Sequence, residues 1–529
     1  MKFTIALSGL LAALMAPLQS PAQDTPKPPN FRKRGVLLTA FLALPLLSSS
    51  AQSLHSFAGG ADGAYPVGGL ALGANGILYG TTIIGGDPSS CTSLGGCGTI
   101  YQMTPPSTPG GSWSETVIYA YPSVNGAYAY PVSAPTVGLA GELYVTSYYG
   151  GAETVGDVSE FTPPSTPGAM WNRTELYSFS YPGGDPQNPA ASVVIGANGV
   201  LYGTVPYAGT SVNCGGVFGT TYGCGGVYSL TPPATPGGSW TEETIYTFQG
   251  GSDGAFPINA LVAGANGVLY GSTNVGGLGT FCVADTVQRI SFYIPSPFAV
   301  IPVNCGTIFE LDPPATAGDE WTETELYNFE GKRDGGFPNA LTYWNGKFYG
   351  TVTFGGDPRN CGGAGCGGVF ELNPPAVPGA EWTEKVIYSF TSGRDGLFPG
   401  AGVALGSDGT IYGTTLDGGN DNACPANPGC GIVFQLKPPL FPGFGWRESV
   451  LHRFSVTDGS MPTGGVTIGA DGALYGATEY GGTSTTCAGC GTVFRVNPKL
   501  WPQEWGLETP VEAVSDSSTR IAPVAGRVK

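Results

Sequence analysis

Residues 402–415 read GVALGSDGTIYGTT, and residues 430–436 and 446–454 follow with CGIVFQL and WRESVLHRF. Asp408-Gly409 divides the first stretch into two short runs, and an Asp-Gly pair tolerates positive φ at both central positions, as a type I′ hairpin requires. The two later runs are of strand length, rich in Val, Ile, Phe and Leu, and bounded by Gly- and Pro-rich loops. The unit is therefore four short strands. Beyond the N-terminal leader no stretch carries apolar residues at helical spacing.

The unit recurs seven times, counted on the aromatic that closes its last segment: Phe57, Tyr121, Phe179, Phe248, Phe329, Phe390 and Phe454. Successive spacings are 64, 58, 69, 81, 61 and 64 residues. Four strands in about 60 residues make a propeller blade, whereas a β-solenoid coil needs a much shorter period. The hairpin turn is Asn75-Gly76, Asn198-Gly199, Asn266-Gly267, Asn345-Gly346, Asp408-Gly409 and Asp471-Gly472, and the second copy departs with LAGEL at 139–143. The predicted fold is all-β, a seven-bladed β-propeller of four-stranded antiparallel blades. LHSF at 54–57 precedes the first blade and the last copy lacks a final strand. The N-terminal strand is thus expected to close the ring and hide its edges, with residues 504–513 as the competing segment.

The motif DGxxP…LYGTT…GG…CGTVFELNPP…GG.WTE.VLYSF resembles the GloVer repeat family, tandem repeats of exported bacterial proteins, over residues 53 to 505. The resemblance implies a propeller-like surface or extracellular repeat protein, and no activity comes with it.

Repetition weighs against the obvious candidate sites, because a residue type recurring in one column of every copy serves the blade. His55 and His452, the sole histidines, occupy the column of Tyr119, Tyr177, Tyr246, Tyr327 and Tyr388. They read as replacements for a strand tyrosine rather than as a base or metal ligand. Trp113, Trp171, Trp240, Trp321, Trp382 and Trp446, with Trp505 by spacing, open the fourth segment and suit packing between blades more than sugar stacking. Glu115, Glu242, Glu323, Glu384 and Glu448 follow these tryptophans and look structural for the same reason. The twelve cysteines form local pairs: Cys91/Cys97, Cys214/Cys224, Cys282/Cys305, Cys361/Cys366, Cys424/Cys430 and Cys487/Cys490. Each pair is expected in the loop between the second and third strands. The second copy lacks both members, as a bonded pair predicts. An even, locally paired set in an exported chain reads as disulfides, with zinc as the rival at the C-x-x-C of 487–490.

The DGxxP loop supplies Asp62, Asp185, Asp253, Asp334, Asp395 and Asp458. Asp-Gly is turn chemistry first. In a propeller these loops share a face with the cysteine loops, so the carboxylates are also expected around the channel mouth, where calcium is the possible cofactor and none is required. Against the repeat background, the longest insertion spans 278–305 and carries Arg289 and Tyr293. With Lys332, Arg333, Asp334, Arg359, Arg394 and Asp395 it gathers basic and aromatic groups over blades four to six. Arginine forks and aromatics suit carboxylate-bearing or sugar-like ligands, and the plain alternative is solvated loop charge with the insertion acting as a plug.

Two export-like leaders occupy residues 1–51, with cleavage expected after Ala51 and a retained anchor as the lesser alternative. The propeller would then span 52–505 and a disordered tail 506–529. The formal charge of −17 becomes −21 when five basic residues and one acid leave with the leader. Such a charge argues against nucleic acid or an anionic membrane as partner. These readings converge on a monomer, not an integral membrane protein after cleavage, located outside the cell, at its surface or in the periplasm of a bacterium. The expected partner is a glycan or an extracellular protein. A carbohydrate-active lyase or glycosidase and a structural adhesion component are the alternatives, and no nucleophile-base constellation appears.

Overall fold

In the computed structural model of the chain, residues 51–498 are described except 88, 92–95, 124–128, 167, 181–185, 215–222, 280, 281, 283–303, 317, 378, 420–423, 425–428, 442 and 488. They belong to the unit Leu47–Lys529, which is distinct from Met1–Leu46. The leaders, Asp185, Arg289, Tyr293, Trp505, residues 504–513 and the tail 506–529 lie outside the described residues.

The described residues form seven antiparallel sheets, with short 3-10 turns as the helical elements. The protein is a seven-bladed β-propeller. Within each blade the strands neighbour one another in chain order. Blade five varies this plan, because Gly336–Pro338 and Thr342–Trp344 both pair with Lys347–Phe354. The seventh blade takes its outer strand from the other end of the chain: Gln52–Ser56 pairs with Thr492–Val496, His55 lying opposite Val493. This closure by the N-terminal strand leaves the ring with no open joint.

Burial follows position in the blade. The second strand, such as Leu201–Val205, is buried almost throughout because neighbouring blades cover both its faces. The outer strand, such as Thr241–Thr247, alternates between exposed and partly buried positions over its first four residues, where one face meets water. The core lies between blades. Each closing aromatic packs edge-on against the third-strand aromatic of the next blade: Phe57 on Tyr101, Phe179 on Tyr228, Phe248 on Phe309, Phe329 on Phe370, Phe390 on Phe434 and Phe454 on Phe494, at 4.9 to 5.4 Å between ring centres. The glycine of LYGTT makes room for that ring. A Cβ on Gly203 would lie 2.3 Å from the Tyr228 hydroxyl oxygen. In blade two Val145 replaces this glycine and Ser159 replaces the ring, so the two changes compensate.

Threonines tie successive blades together near the axis. Thr81, Thr146, Thr204, Thr351 and Thr414 donate to the carbonyls of Ser133, Ala191, Asn259, Ala401 and Pro462 at 2.7 to 3.1 Å. Thr467 donates to Leu70 O at 2.6 Å and so bridges blade seven to blade one.

The hairpins correct one expectation. Asn75, Asn198, Asn266 and Asn345 have φ between 52° and 58°, each followed by a positive-φ glycine, as a type I′ turn demands. At Asp408-Gly409 and Asp471-Gly472 positive φ falls on the glycine alone, and the turn closes one residue earlier, Gly409 N to Gly406 O. The reason is the carboxylate, which accepts the backbone N–H two residues on (Thr410, Ala473) and holds the aspartate out of the left-handed region.

Candidate functional site

All six predicted cysteine pairs are disulfides, Cys91–Cys97, Cys214–Cys224, Cys282–Cys305, Cys361–Cys366, Cys424–Cys430 and Cys487–Cys490, and no described cysteine is free. Each pair lies in the loop between the second and third strands, as expected, and burial separates its two members. The second member of every pair, Cys97, Cys224, Cys305, Cys366, Cys430 and Cys490, is fully buried. Each belongs to an apolar core that also holds the closing aromatic of its blade, such as Cys97 with Tyr121, Cys305 with Phe329, Cys366 with Phe390 and Cys430 with Phe454. These sulfurs cannot touch a ligand. The reason is the register of the chain: the second cysteine stands immediately before the third strand, which enters the interior between blades. Each disulfide therefore pins a surface loop to the core and is structural.

In blade two Val155 stands where the second cysteine would be. The loop entering the next blade packs on the disulfide: a Cβ on Gly250 would lie 2.9 Å from Cys214 Sγ. Disulfide loops and aspartate loops therefore share one face.

The aspartates on that face do not gather at the channel. Each carboxylate turns back on its own loop and accepts a backbone N–H three or four residues earlier: Ala58 to Asp62, Gln249 to Asp253, Glu330 to Asp334, Thr391 to Asp395 and Ser455 to Asp458. The tyrosine column adds a second donor, with Tyr246, Tyr327 and Tyr388 hydroxyls 2.6, 3.2 and 3.1 Å from Asp253, Asp334 and Asp395. His452 does the same work. His452 Nε2 lies 3.0 Å from Asp458, while its Nδ1 accepts the Ala51 N–H, and His55 Nε2 stands 3.5 Å from Asp62. None of these aspartates lines the central cavity, and among the described residues no three His, Cys, Asp or Glu side chains come together as a metal site. Among the described residues, loop capping faces these carboxylates toward the outer strands rather than into the central cavity.

Facing them there are the column glutamates of the following blade. Burial first, and then the charge of Asp62, Asp253, Asp334 and Asp395, push Glu115, Glu323, Glu384 and Glu448 up to about 7, 7, 8 and 7. Each has its Oε1 buried without a hydrogen-bond partner. Sequence reasoning saw the glutamates as structural but missed the repulsion they receive from the loop aspartates.

Of the basic patch, Lys332, Arg333 and Asp334 line a cleft of about 860 Å³ with Tyr327, Glu330, Phe337, Phe354 and the Cys282 disulfide. Arg359 is 87% exposed and forks onto Asp357, whose carboxyl is held down at about 2 by hydrogen bonds from Arg359. Arg394 lies outside the cleft lining, as Arg359 does, and Asp395 is spent on its loop.

A second cavity, of about 300 Å³, sits on the axis and is lined from all seven blades, by Val67, Ala134, Ala191, Ile258, Ala340, Ala401 and Met461 among others. Around it the residue before the loop proline is left-handed in every copy: Tyr65, Tyr130, Asn188, Phe256, Phe337, Phe398 and Met461, with φ from 54° to 59°. Bulky residues rarely adopt this conformation, which costs on the order of 1–3 kcal/mol each. It persists because the backbone N–H reaches back to the previous blade, as Tyr65 N to Cys490 O and Phe256 N to Cys224 O.

Residues 301–503 match the Gloeobacter/Verrucomicrobia repeat. This is the family that the motif resembles, and the match covers blades five to seven and part of blade four. Outside the match, blades one to three repeat the same strand order. No curated protein matches the chain. Solved structures of similar course include a provisionally assigned gluconolactonase, at 14% identity, covering 69% of this chain and 89% of that one with a TM-score of 0.34. Another is a provisionally assigned oxidoreductase (glucose dehydrogenase) from Thermus thermophilus, at 14% identity, 84% and 99% coverage and a TM-score of 0.36. A protein of unknown function from Dyadobacter fermentans is 12% identical over 76% and 96%, with a TM-score of 0.37. No activity is carried over from them.

Within the chain's own repeat, blade two departs markedly. Arg173 takes the glutamate column and bonds Asp157, which is fully buried, at 2.6 Å and Ser159 at 3.1 Å. Its guanidinium also lies 5.8 Å from the Tyr121 ring centre. A buried ion pair thus stands where other blades have a ring and an acid. Six disulfides accord with an oxidising compartment. Among the described residues no helix is long and apolar enough to cross a membrane.

Proposed function

We propose that the chain is a secreted or cell-surface binding scaffold without catalysis, which takes an acidic glycan or an acidic protein segment in the loop-face cleft of blade five. The observation that supports this most is the cleft itself. It places Lys332 and Arg333 beside Tyr327 and Phe337 in an otherwise acidic protein. A guanidinium fork recognises carboxylates in two-point fashion, and aromatic walls add contact area.

The glutamate–aspartate pairs invite comparison with a glycosidase pair, in which one acid is held protonated. Their occurrence at four equivalent interfaces favours a structural role, since a catalytic pair is made once. A glycan-array and hydrolysis screen on the mature protein tests the reading. Binding without turnover, lost in Lys332→Ala/Arg333→Ala, is expected; turnover, or binding unchanged in that variant, refutes it.

A further inference from the structure

The loop joining Ile432–Lys437 to Arg447–Arg453, the third and fourth strands of blade six, departs from the five copies before it. Residues 440–445 read LFPGFG, where those copies read STPGGS, STPGAM, ATPGGS, ATAGDE and AVPGAE. Leu440, Phe441 and Phe444 are 91%, 66% and 70% exposed, and the two phenyl rings stand 6.2 Å apart between centres. A second departure lies at the foot of the same loop. Lys437 stands opposite Arg447 across the strand pair, and both are exposed. In the five earlier blades the equivalent pair is built from Thr, Ser, Asn and Asp, as Thr104 opposite Ser114.

Neither departure serves the blade, because five blades close without it. Bulky apolar side chains gathered on a loop tip gain nothing from water, and such a patch marks an interaction made outside the chain. Like charges directly opposite on a strand pair repel. The order of the groups is informative: apolar residues occupy the tip and cations the foot. A bilayer has the matching order, since its phosphates lie outside its acyl chains. Trp446 is half-buried at the same foot, and an indole suits the boundary between lipid and water.

We propose that this end of the ring, which carries the hairpin turns and the loops between third and fourth strands, docks on a phospholipid bilayer. Leu440, Phe441 and Phe444 enter the boundary between headgroups and acyl chains, and Lys437 and Arg447 meet the lipid phosphates. The acidity of the chain as a whole disfavours a surface of net negative charge, so a zwitterionic headgroup supplies the phosphate. The chain also enters the propeller at this end. Gln52 lies opposite Arg495, the last residue but one of Thr492–Val496, so the export-like leader joins the ring on the same face as the tip. Lys332 and Arg333 belong to the loop face at the other end of the strands. Docking therefore leaves their cleft open, and the two readings fail separately. Three apolar residues make a reversible anchor, with half-saturation at lipid concentrations on the order of millimolar.

Co-sedimentation of the full mature protein with phosphatidylethanolamine–phosphatidylcholine vesicles provides the test. Phe441→Ser/Phe444→Ser, at exposed positions that folding does not use, should weaken binding about a hundredfold. Lys437→Gln/Arg447→Gln should weaken it about tenfold. Val212→Ser, which removes an exposed apolar side chain from the loop face, should leave it unchanged. Glycerophosphocholine, the headgroup without acyl chains, should not release the protein at about 10 mM. No vesicle-bound protein at about 20 mM lipid, unchanged binding in either double variant, release by glycerophosphocholine, or a solution dimer that Phe441→Ser/Phe444→Ser dissociates would each overturn the proposal.

Discussion

Replacing Glu384 by glutamine should make the propeller more stable above neutral pH and leave it nearly unchanged near pH ~5. Glu384 is the most perturbed of the four interface glutamates, pushed by burial and then by Asp334 to about 8, against an ordinary value of 4.5. The folded protein therefore keeps a proton that the unfolded chain releases. Stability falls as pH rises through the window between those two values and is flat above it. At 1.36 kcal/mol per pH unit, a shift of this size amounts to roughly 5 kcal/mol lost by the alkaline end. An unfolding entropy near 2.1 cal/mol/K per residue makes that roughly 5 °C in Tm for a ring of this length. Thermal unfolding followed by near-ultraviolet circular dichroism at pH ~5 and pH ~9 provides the assay. The wild type should lose several degrees more than Glu384→Gln between the two conditions, and Asp334→Asn should recover part of the difference by removing the second cause. Parallel losses in wild type and Glu384→Gln would refute the reasoning, because the carboxyl would then titrate alike in folded and unfolded chains.

Deleting residues 52–57 should destabilise the whole ring in one cooperative transition, whereas His55→Tyr should be tolerated; circular dichroism melts distinguish the two. Arg173→Ala strands the buried carboxylate of Asp157, so a loss of about 3–5 kcal/mol is expected by denaturant titration, largely restored by adding Asp157→Asn. A thiol assay on the unreduced exported protein should find none of the twelve cysteines reactive, and reduction should cost about 2 to 3 kcal/mol per bond. Calcium titration should give no heat, since the loop aspartates already accept backbone and hydroxyl donors.

Much of this architecture lies open in the sequence because it is local and repeated. The Asn-Gly turns, the paired cysteines a few residues apart and the glycine–aromatic alternation of the second and third strands concern residues close in the chain, and seven copies average away the exceptions. The histidines are legible for the same reason: alignment of copies puts His55 and His452 in a tyrosine column without any coordinates. The turn at Asp408 escapes such reading because Asn and Asp share a preference for turns, while the charged carboxylate selects a different hydrogen-bond partner. Spacing likewise pairs Cys361 with Cys366 but leaves hidden that the second sulfur is sunk beneath Phe390, because burial depends on the neighbouring blade.

By itself, then, the sequence determined the number of blades, the strand order, the disulfide partners and the need for a closing strand. Only the tertiary structure decided which groups face one another across blades. The repulsions of Glu115 by Asp62 and of Glu384 by Asp334, and the packing of Tyr65 against Tyr480, join residues 50 to 415 positions apart. No local period encodes such pairings. They follow from bending seven similar units into a closed ring, which brings the first blade against the last.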